Sequence, residues 1–410
     1  METAKPKSCK INAEGTIQCP VMSEPRKIYT PDDLSIRRVG KSPEVGIGRS
    51  PDASKAVDEA VNRIGGMCRF VKKGDLVGIK ANITGGSSQN LASFTSPVVV
   101  KKVVKMVRDC GGKPIVIDSS MIWTDMEPIA RKEGWHDWAV ENSVEVADLH
   151  HLPVIPFNFG DATTIRVDKA SRLMPDLDVL ISVPKLKTHM LTTTSVGLKN
   201  NYGLLPRADK GIYHAKDIDI VVAEVNKAFP TTLTIVDGMI AGEGEAGPLT
   251  PVPIDDYNTI IASNDIACVD AVSSRFMGFD RPSSIRHLKM AGLLGVGDID
   301  CAEKPSVKAE IDRHFGKHPK DGNFILADPR VIEMISDASK IIAMTPGGAS
   351  VFSNLSDMLL GNASYFMTGF MQSLLSGFVK MSRRYIGKDI FRNINSLNLH
   401  AEDEEDSALY

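Results

Sequence analysis

Apolar residues in this chain fall into two alternating patterns. Short, mostly apolar runs bounded by glycine, proline or acidic residues predict buried strands at 45–48, 76–80, 114–118, 144–148, 179–184, 233–237 and 259–263. Between them, positions spaced at the helical period predict helices at 52–64, 98–109, 127–133, 217–228 and 267–276. The ends carry matching signals. Ser50 and Asp52 start the first helix, Thr95-Ser96-Pro97 opens the second, Gly111-Gly112 closes it, and Gly278 closes the last. Helices alternating with buried strands predict an α/β fold, a mostly parallel sheet with helices on both faces, and 45–80 reads as its first β-α-β unit. Three strands then end in polar residues at the carboxyl edge, where open parallel sheets bind ligands: at Asp118, at the Pro184 segment and at Asp237. For each aspartate the alternative is a helix cap or a turn.

The pattern changes at both ends of the chain. Residues 1–43 are polar and punctuated by prolines, a leader ahead of a main α/β domain over 44–330 that carries the site. Residues 331–410 form a C-terminal extension whose Met/Phe-rich stretch, from Phe352 to Met381, predicts one or two amphipathic helices. That face is expected to dock on the main domain or on a second copy, giving a homo-oligomer. Peripheral membrane contact, helped by Lys380, Arg383 and Arg384, is the alternative. Glu402 to Asp406 read as a solvated acidic tail.

Composition narrows the function classes. With 48 basic against 51 acidic residues and a net charge of -3, no global field draws the chain to nucleic acid, and a small-molecule partner is expected. The N-terminus lacks an apolar signal core and no apolar run is long enough to span a bilayer, so the expected location is cytoplasmic. The six cysteines form no Cys-x-x-Cys pair, so no iron–sulfur cluster is expected from this chain alone. Cys68, Cys110 and Cys268 lie in apolar patterns and read as buried thiols, without a disulfide framework.

Candidate chemistry concentrates in one stretch: Val183-Pro184-Lys185-Leu186-Lys187-Thr188-His189, then Thr192-Thr193-Thr194, Gly197-Leu198-Lys199-Asn200-Asn201-Tyr202-Gly203, and on to His214. So many cations beside hydroxyls and amides suit an anionic ligand or an acid/base centre. His189 and His214 are candidate bases or metal ligands, and Lys199 a nucleophile, base or anion anchor. Lys185, Lys187, Thr188, Asn200 and Gly203 are expected to line the ligand. A second cluster runs from Asp237 through Gly238, Gly242, Glu243 and Gly244 to Pro248 and reads as a mobile loop. Its acids repel phosphate, so Asp237 and Glu243 are expected to face the lysines as acid/base or cation-binding groups, with Gly242 and Gly244 allowing close approach. Lys80-Ala81-Asn82 forms a third cluster, because a buried strand that ends in lysine needs an acid or bound anion beside it. Asp265 and Asp270 lie at a helix start, where capping accounts for Asp265.

Taken in order, 71–82, 95–118, 183–203, 237–247 and 263–278 resemble the family catalogued as domain of unknown function 362. Its members commonly read Lys-Pro-Asn where this chain has Lys80-Ala81-Asn82, Pro-Lys-x-Lys-Thr-His at Pro184 to His189, Gly-x-x-Lys-Asn-x-x-Gly at Gly197 to Gly203, and Asp-Gly-x-x-Ala-x-Glu-Gly at Asp237 to Gly244. Many relatives carry a ferredoxin-like cysteine array that this chain lacks. The order of histidine, Gly-x-x-Lys and a further histidine is also similar to the lactate racemase family, in which a lysine holds a nickel-pincer nucleotide. That likeness implicates Lys199, His214 and His189, although Val196-Gly197-Leu198-Lys199 replaces the family's Gly-Gly-Arg-Lys.

The resulting expectation is an enzyme, of oxidoreductase or isomerase/racemase type, that binds a small carboxylate- or phosphate-bearing metabolite or a nucleotide-like cofactor. It would transfer a proton or hydride through His, Lys, Asp and Glu groups, with a divalent ion, magnesium or nickel, as the candidate cofactor. The competing expectation is a non-catalytic binding or metallocofactor-maturation protein.

Overall fold

The computed structural model describes residues 27–326, except 84–89, 121–125, 206–212, 214–216 and 245–250, together with 10–11 and 17–18. The C-terminal extension, His214 and the Gly85-Gly86-Ser87-Ser88 run therefore lie outside the described residues. Lys10–Ile11 (β1) pairs antiparallel with Ile17–Gln18 (β2). Val45–Arg49 (β3) precedes Ala53–Arg63 (α1), which starts where the Asp52 carboxylate accepts the Ser54 and Lys55 amides, as its sequence signal predicts. Next come Met67–Phe70 (α2), Leu76–Ala81 (β4), Pro97–Asp109 (α3, proline in its first turn), Lys113–Asp118 (β5), Met126–Lys132 (α4), Trp135–Asn142 (α5) and Glu145–Asp148 (β6).

Val154–Asn158 (β7) and Val167–Ser171 (β8) make a separate antiparallel pair. Val179–Val183 (β9), Lys185–His189 (β10) and Thr193–Ser195 (β11) lead into the short helix Gly197–Asn201 (α6). Ile218–Ala228 (α7), Leu233–Glu243 (β12), Val252–Ile254 (β13), Thr259–Ser263 (β14), Ile266–Met277 (α8), Arg286–Leu293 (α9) and Pro305–His314 (α10) complete the order.

Five parallel pairings form the centre of the sheet: β6 on β5, β5 on β4, β4 on β9, and β12 on both β9 and β10. Apolar residues bury on both faces, as a parallel sheet requires. Ile115 and Ile117 enter one core with residues of α7, α8 and α9, while Val116 enters the other with residues of α1 and α3. Successive side chains of a strand point to opposite faces, so β5 serves both cores. The α/β architecture, mostly parallel and covered on two sides, is thus the one its sequence pattern predicts.

One expectation needs refining and two need correcting. Residues 45–80 do form a β-α-β connection, since β3 is antiparallel to β14 and β14 to β12, which leaves β3 parallel to β4, but β9, β12 and β14 stand between the two strands. The Asp237 to Glu243 stretch is no mobile loop but the second half of β12, paired with β10 and β13. Its glycines serve close packing: a Cβ at Gly238 would stand 2.7 Å from the Thr259 carbonyl oxygen. Finally, Cys68 and Cys110 form a disulfide, as do Cys268 and Cys301. Cys68 is exposed on α2 and meets Cys110 at the end of α3, whereas Cys268 and Cys301 are buried. An apolar pattern reports burial, not which sulfur stands opposite.

Candidate functional site

Site side chains converge where β4, β5, β10 and β12 meet α3 and α6. Pro184 separates β9 from β10 but keeps both beside β12, its carbonyl accepting the Asp237 amide at 2.8 Å. On β10, Leu186 and Thr188 alternate with Lys185, Lys187 and His189, so the three basic side chains leave one face together. All five positions are buried. Buried lysines are rare and need compensation, which makes the partner of each lysine the informative question.

Two lysines have carboxylates. Lys80 Nζ lies 2.6 Å from Asp118 Oδ1 and donates to the Ala81 carbonyl at 2.6 Å and to Asn200 Oδ1 at 3.2 Å. This is the acid that a lysine at the end of β4 demanded. Asp118 also accepts the Ile83 and Ser119 amides. Asn200 returns its amide to the Lys80 carbonyl and to Ser182 Oγ, each at 2.9 Å, so it acts as a brace between α6 and β4. Gly203 completes that corner: a Cβ there would stand 2.6 Å from Lys80 Cε. Lys185 Nζ pairs with Asp237 at 2.7 Å, and Asp237 also accepts the amides of Ser96, ahead of α3, and Met239. Asp237 thus faces the lysines as its sequence position suggests, but inside β12 rather than at its end.

Two lysines have no carboxylate partner among the described residues. Lys187, 2 % exposed, donates to the Ser93 carbonyl and forms no ion pair among the described residues. Burial lowers its pKa to about 7; Lys185, Lys199 and Lys80 push the same way and Asp118 opposes them. Lys199, half-buried on α6, has its Nζ 4.5 Å from the centroid of the Tyr202 ring. Burial lowers its pKa to about 8, opposed by Asp219 and assisted by Lys80. The four lysines therefore sense one another, and together they outnumber Asp118 and Asp237.

The remaining candidates divide. His189 Nδ1 accepts the amides of Leu191 at 3.0 Å and Thr192 at 3.3 Å, which places the proton of the neutral ring on Nε2 and makes it a donor rather than a base. Glu243 does not face the lysine cluster's cations; it pairs with Lys320 at 2.6 Å and accepts the Ile325 amide at 2.8 Å. Thr188 donates to the Gly244 carbonyl, which ties β10 to the end of β12, and Gly244, at φ 92°, donates its amide to the Ile325 carbonyl and so joins that end to the 320–326 segment. Gly242 stands against Lys187, and Asn82 donates to the Ser93 carbonyl beside it. No group of three His, Cys, Asp or Glu side chains able to hold a metal occurs among the described residues, and His214, half of the expected pair, lies outside them.

Sequence reasoning missed Asp270. From within α8 its carboxylate accepts the Gly197 amide at 2.7 Å and the Leu198 amide at 3.0 Å, which caps α6 and fixes the base of Lys199. Burial raises its pKa to about 7 against those two amides. An acid in the middle of an apolar helix was its signal in the sequence.

An α/β sheet with a buried lysine cluster at its carboxyl edge defines the class of this protein. The sequence profile of the family described as "Domain of unknown function (DUF362)" matches residues 77–275, which span the whole cluster. A thylakoid-associated protein of Synechocystis sp. is 30% identical over 243 residues, covering 57% of this chain and 72% of the relative. The chain belongs to this family. No solved structure matches it. No helix among the described residues is long and apolar enough to cross a membrane.

Proposed function

We propose that the protein is an enzyme that binds a small carboxylate- or phosphate-bearing metabolite at the carboxyl edge of the sheet and moves a proton beside the ligand's carbonyl or phosphoryl group. One observation carries this reading: Lys187 is buried among other lysines and, among the described residues, has no carboxylate partner. An anion supplies the missing charge, and a lysine of pKa about 7 exchanges a proton near neutrality. Lys199 is the second anchor, and the Lys80–Asp118 and Lys185–Asp237 pairs hold the frame. Proton transfer, the isomerase-like half of the expectation, is what these groups support. A magnesium or nickel ion held by His189 and His214, and the competing role in binding or cofactor maturation, remain tied to sequence alone.

Calorimetry with oxalate and inorganic phosphate in buffers of differing ionisation enthalpy tests the reading. Above pH 7, binding is expected to take up close to one proton per site as the anion restores the charge on Lys187, and Lys187→Met is expected to abolish that uptake. Binding without proton uptake, or no binding of either anion, refutes it.

The name of the Synechocystis relative favours a second reading for location: attachment to a membrane surface through the Met/Phe-rich stretch and Lys380, Arg383 and Arg384. The cytoplasm is the rival proposal, and the two disulfides weigh against it. Flotation of the full chain with anionic vesicles, lost on Lys380→Glu, Arg383→Glu and Arg384→Glu together, supports attachment. Absence of flotation by the parent rejects it.

A further inference from the structure

We infer that Lys187 is a covalent centre: its Nζ condenses with the carbonyl carbon of a small 2-oxo acid to form an imine. The inference rests on the anion-binding reading above and adds a bond to it.

Geometry singles out Lys187 among the four lysines. Lys80 and Lys185 are held as cations by Asp118 and Asp237 at 2.6 and 2.7 Å, and a protonated amine has no lone pair to offer. Among the described residues Lys187 has no carboxylate partner, and its only hydrogen-bond acceptor is the Ser93 carbonyl. Lys185 stands two residues away on the same strand face, and a neighbouring cation together with burial is the arrangement that leaves a lysine amine unprotonated and nucleophilic. Consistent with that placement, its pKa is lowered to about 7.

The chemistry closes without another reactant. The Nζ lone pair attacks the carbonyl carbon, a C–N bond forms, and the first of the two Nζ protons passes to the carbonyl oxygen. The two Nζ protons leave with that oxygen as water, giving the C=N bond, and a proton from solvent converts the imine to its cationic form. A 2-oxo acid suits the site because its carboxylate lies one bond from the reacting carbon. That negative charge offsets the new iminium and faces Lys199, the other lysine of the four with no ion pair among the described residues.

The test incubates the full chain separately with glyoxylate, pyruvate and 2-oxoglutarate, reduces with sodium borohydride, and maps adducts by peptide mass spectrometry. At least one of the three is expected to leave a single reduced adduct per chain, located at Lys187 and absent from Lys187→Arg. Trapping by cyanoborohydride should rise about tenfold from pH 6 to pH 8 and then level off, whereas an ordinary lysine would gain about a hundredfold with no plateau. Adducts at Lys199, or spread over exposed lysines, overturn the inference. Calorimetric binding of these acids without a trapped adduct overturns the imine and leaves the anion site standing. No binding of these acids or of oxalate removes both.

Discussion

Lys187→Met tests the electrostatic core of the site through stability alone. Methionine keeps most of the lysine's length and apolar stem, and the Ser93 carbonyl keeps the Asn82 amide as its donor, so the change orphans no described polar group. The fold lowers the Lys187 pKa from 10.5 to about 7. Between those values the unfolded chain holds the proton and the folded chain does not, so raising the pH through this window stabilises the folded state. Below about pH 7 both states are protonated, and the folded state bears the full cost of a buried, uncompensated cation. At about 1.4 kcal/mol per unit the cost approaches roughly 5 kcal/mol, an upper figure because neighbouring lysines readjust once one charge is gone. Lys187→Met is therefore expected to be more stable than the parent by roughly 2–5 kcal/mol at pH 6, with the gap closing by about pH 10. Urea unfolding at several pH values reads it directly. A variant that is less stable at pH 6, or a gap that does not change with pH, refutes the reasoning.

Other predictions address the frame. Asp118→Asn leaves Lys80 buried without its counter-charge and is expected to cost about 3–5 kcal/mol, part of it recovered in Lys80→Met/Asp118→Asn, whose amide oxygen still accepts the Ile83 or Ser119 amide; urea midpoints of the single and double variants decide it, and a neutral single change would show the pair to be dispensable. Gly203→Ala drives a Cβ to 2.6 Å from Lys80 Cε and 3.1 Å from Asp118 Oδ1, so it should cost about 1–3 kcal/mol in thermal unfolding and weaken oxalate binding. The two disulfides, closing separations of 42 and 33 residues, are each worth roughly 3–4 kcal/mol. Iodoacetamide on denatured, unreduced protein should leave Cys68, Cys110, Cys268 and Cys301 unlabelled, and labelling of any of them contradicts the pairing.

Much of this was legible in the chain because burial and helix ends write themselves locally. The apolar runs of β4, β5, β9 and β14, the Asp52 cap and the Gly278 stop all follow from nearest-neighbour chemistry. The second half of β12 did not, since Gly238, Gly242 and Gly244 resemble a loop to any local rule; only the Thr259 carbonyl on one side and Lys187 on the other show why a side chain is excluded. Lys80 announced its acid, because a buried strand ending in lysine is costly without one, yet which acid depended on β5 lying beside β4. Glu243 misled for the same reason: its carboxylate looked available in the sequence, while Lys320 and the Ile325 amide occupy it from a distant segment. Asp270 reaches α6 from α8 across more than 70 positions, beyond any motif's span.

Register explains why Lys187 alone among the lysines of β10 is left without a counter-charge. Lys185 lies opposite Asp237 on β12, and after an irregularity in the ladder Lys187 lies opposite Gly242. An acid at 242 would have paired Lys187 as Asp237 pairs Lys185. Packing resists it: a Cβ at 242 would sit 3.0 Å from the Ala92 carbonyl oxygen, from Lys187 Cβ and from Pro251 Cβ alike, so a neighbour would have to give way. The next residue, Glu243, is turned to Lys320. Close packing thus resists a carboxylate at 242, and among the described residues Lys187 is a buried amine without a counter-charge, which an anion entering from outside would relieve.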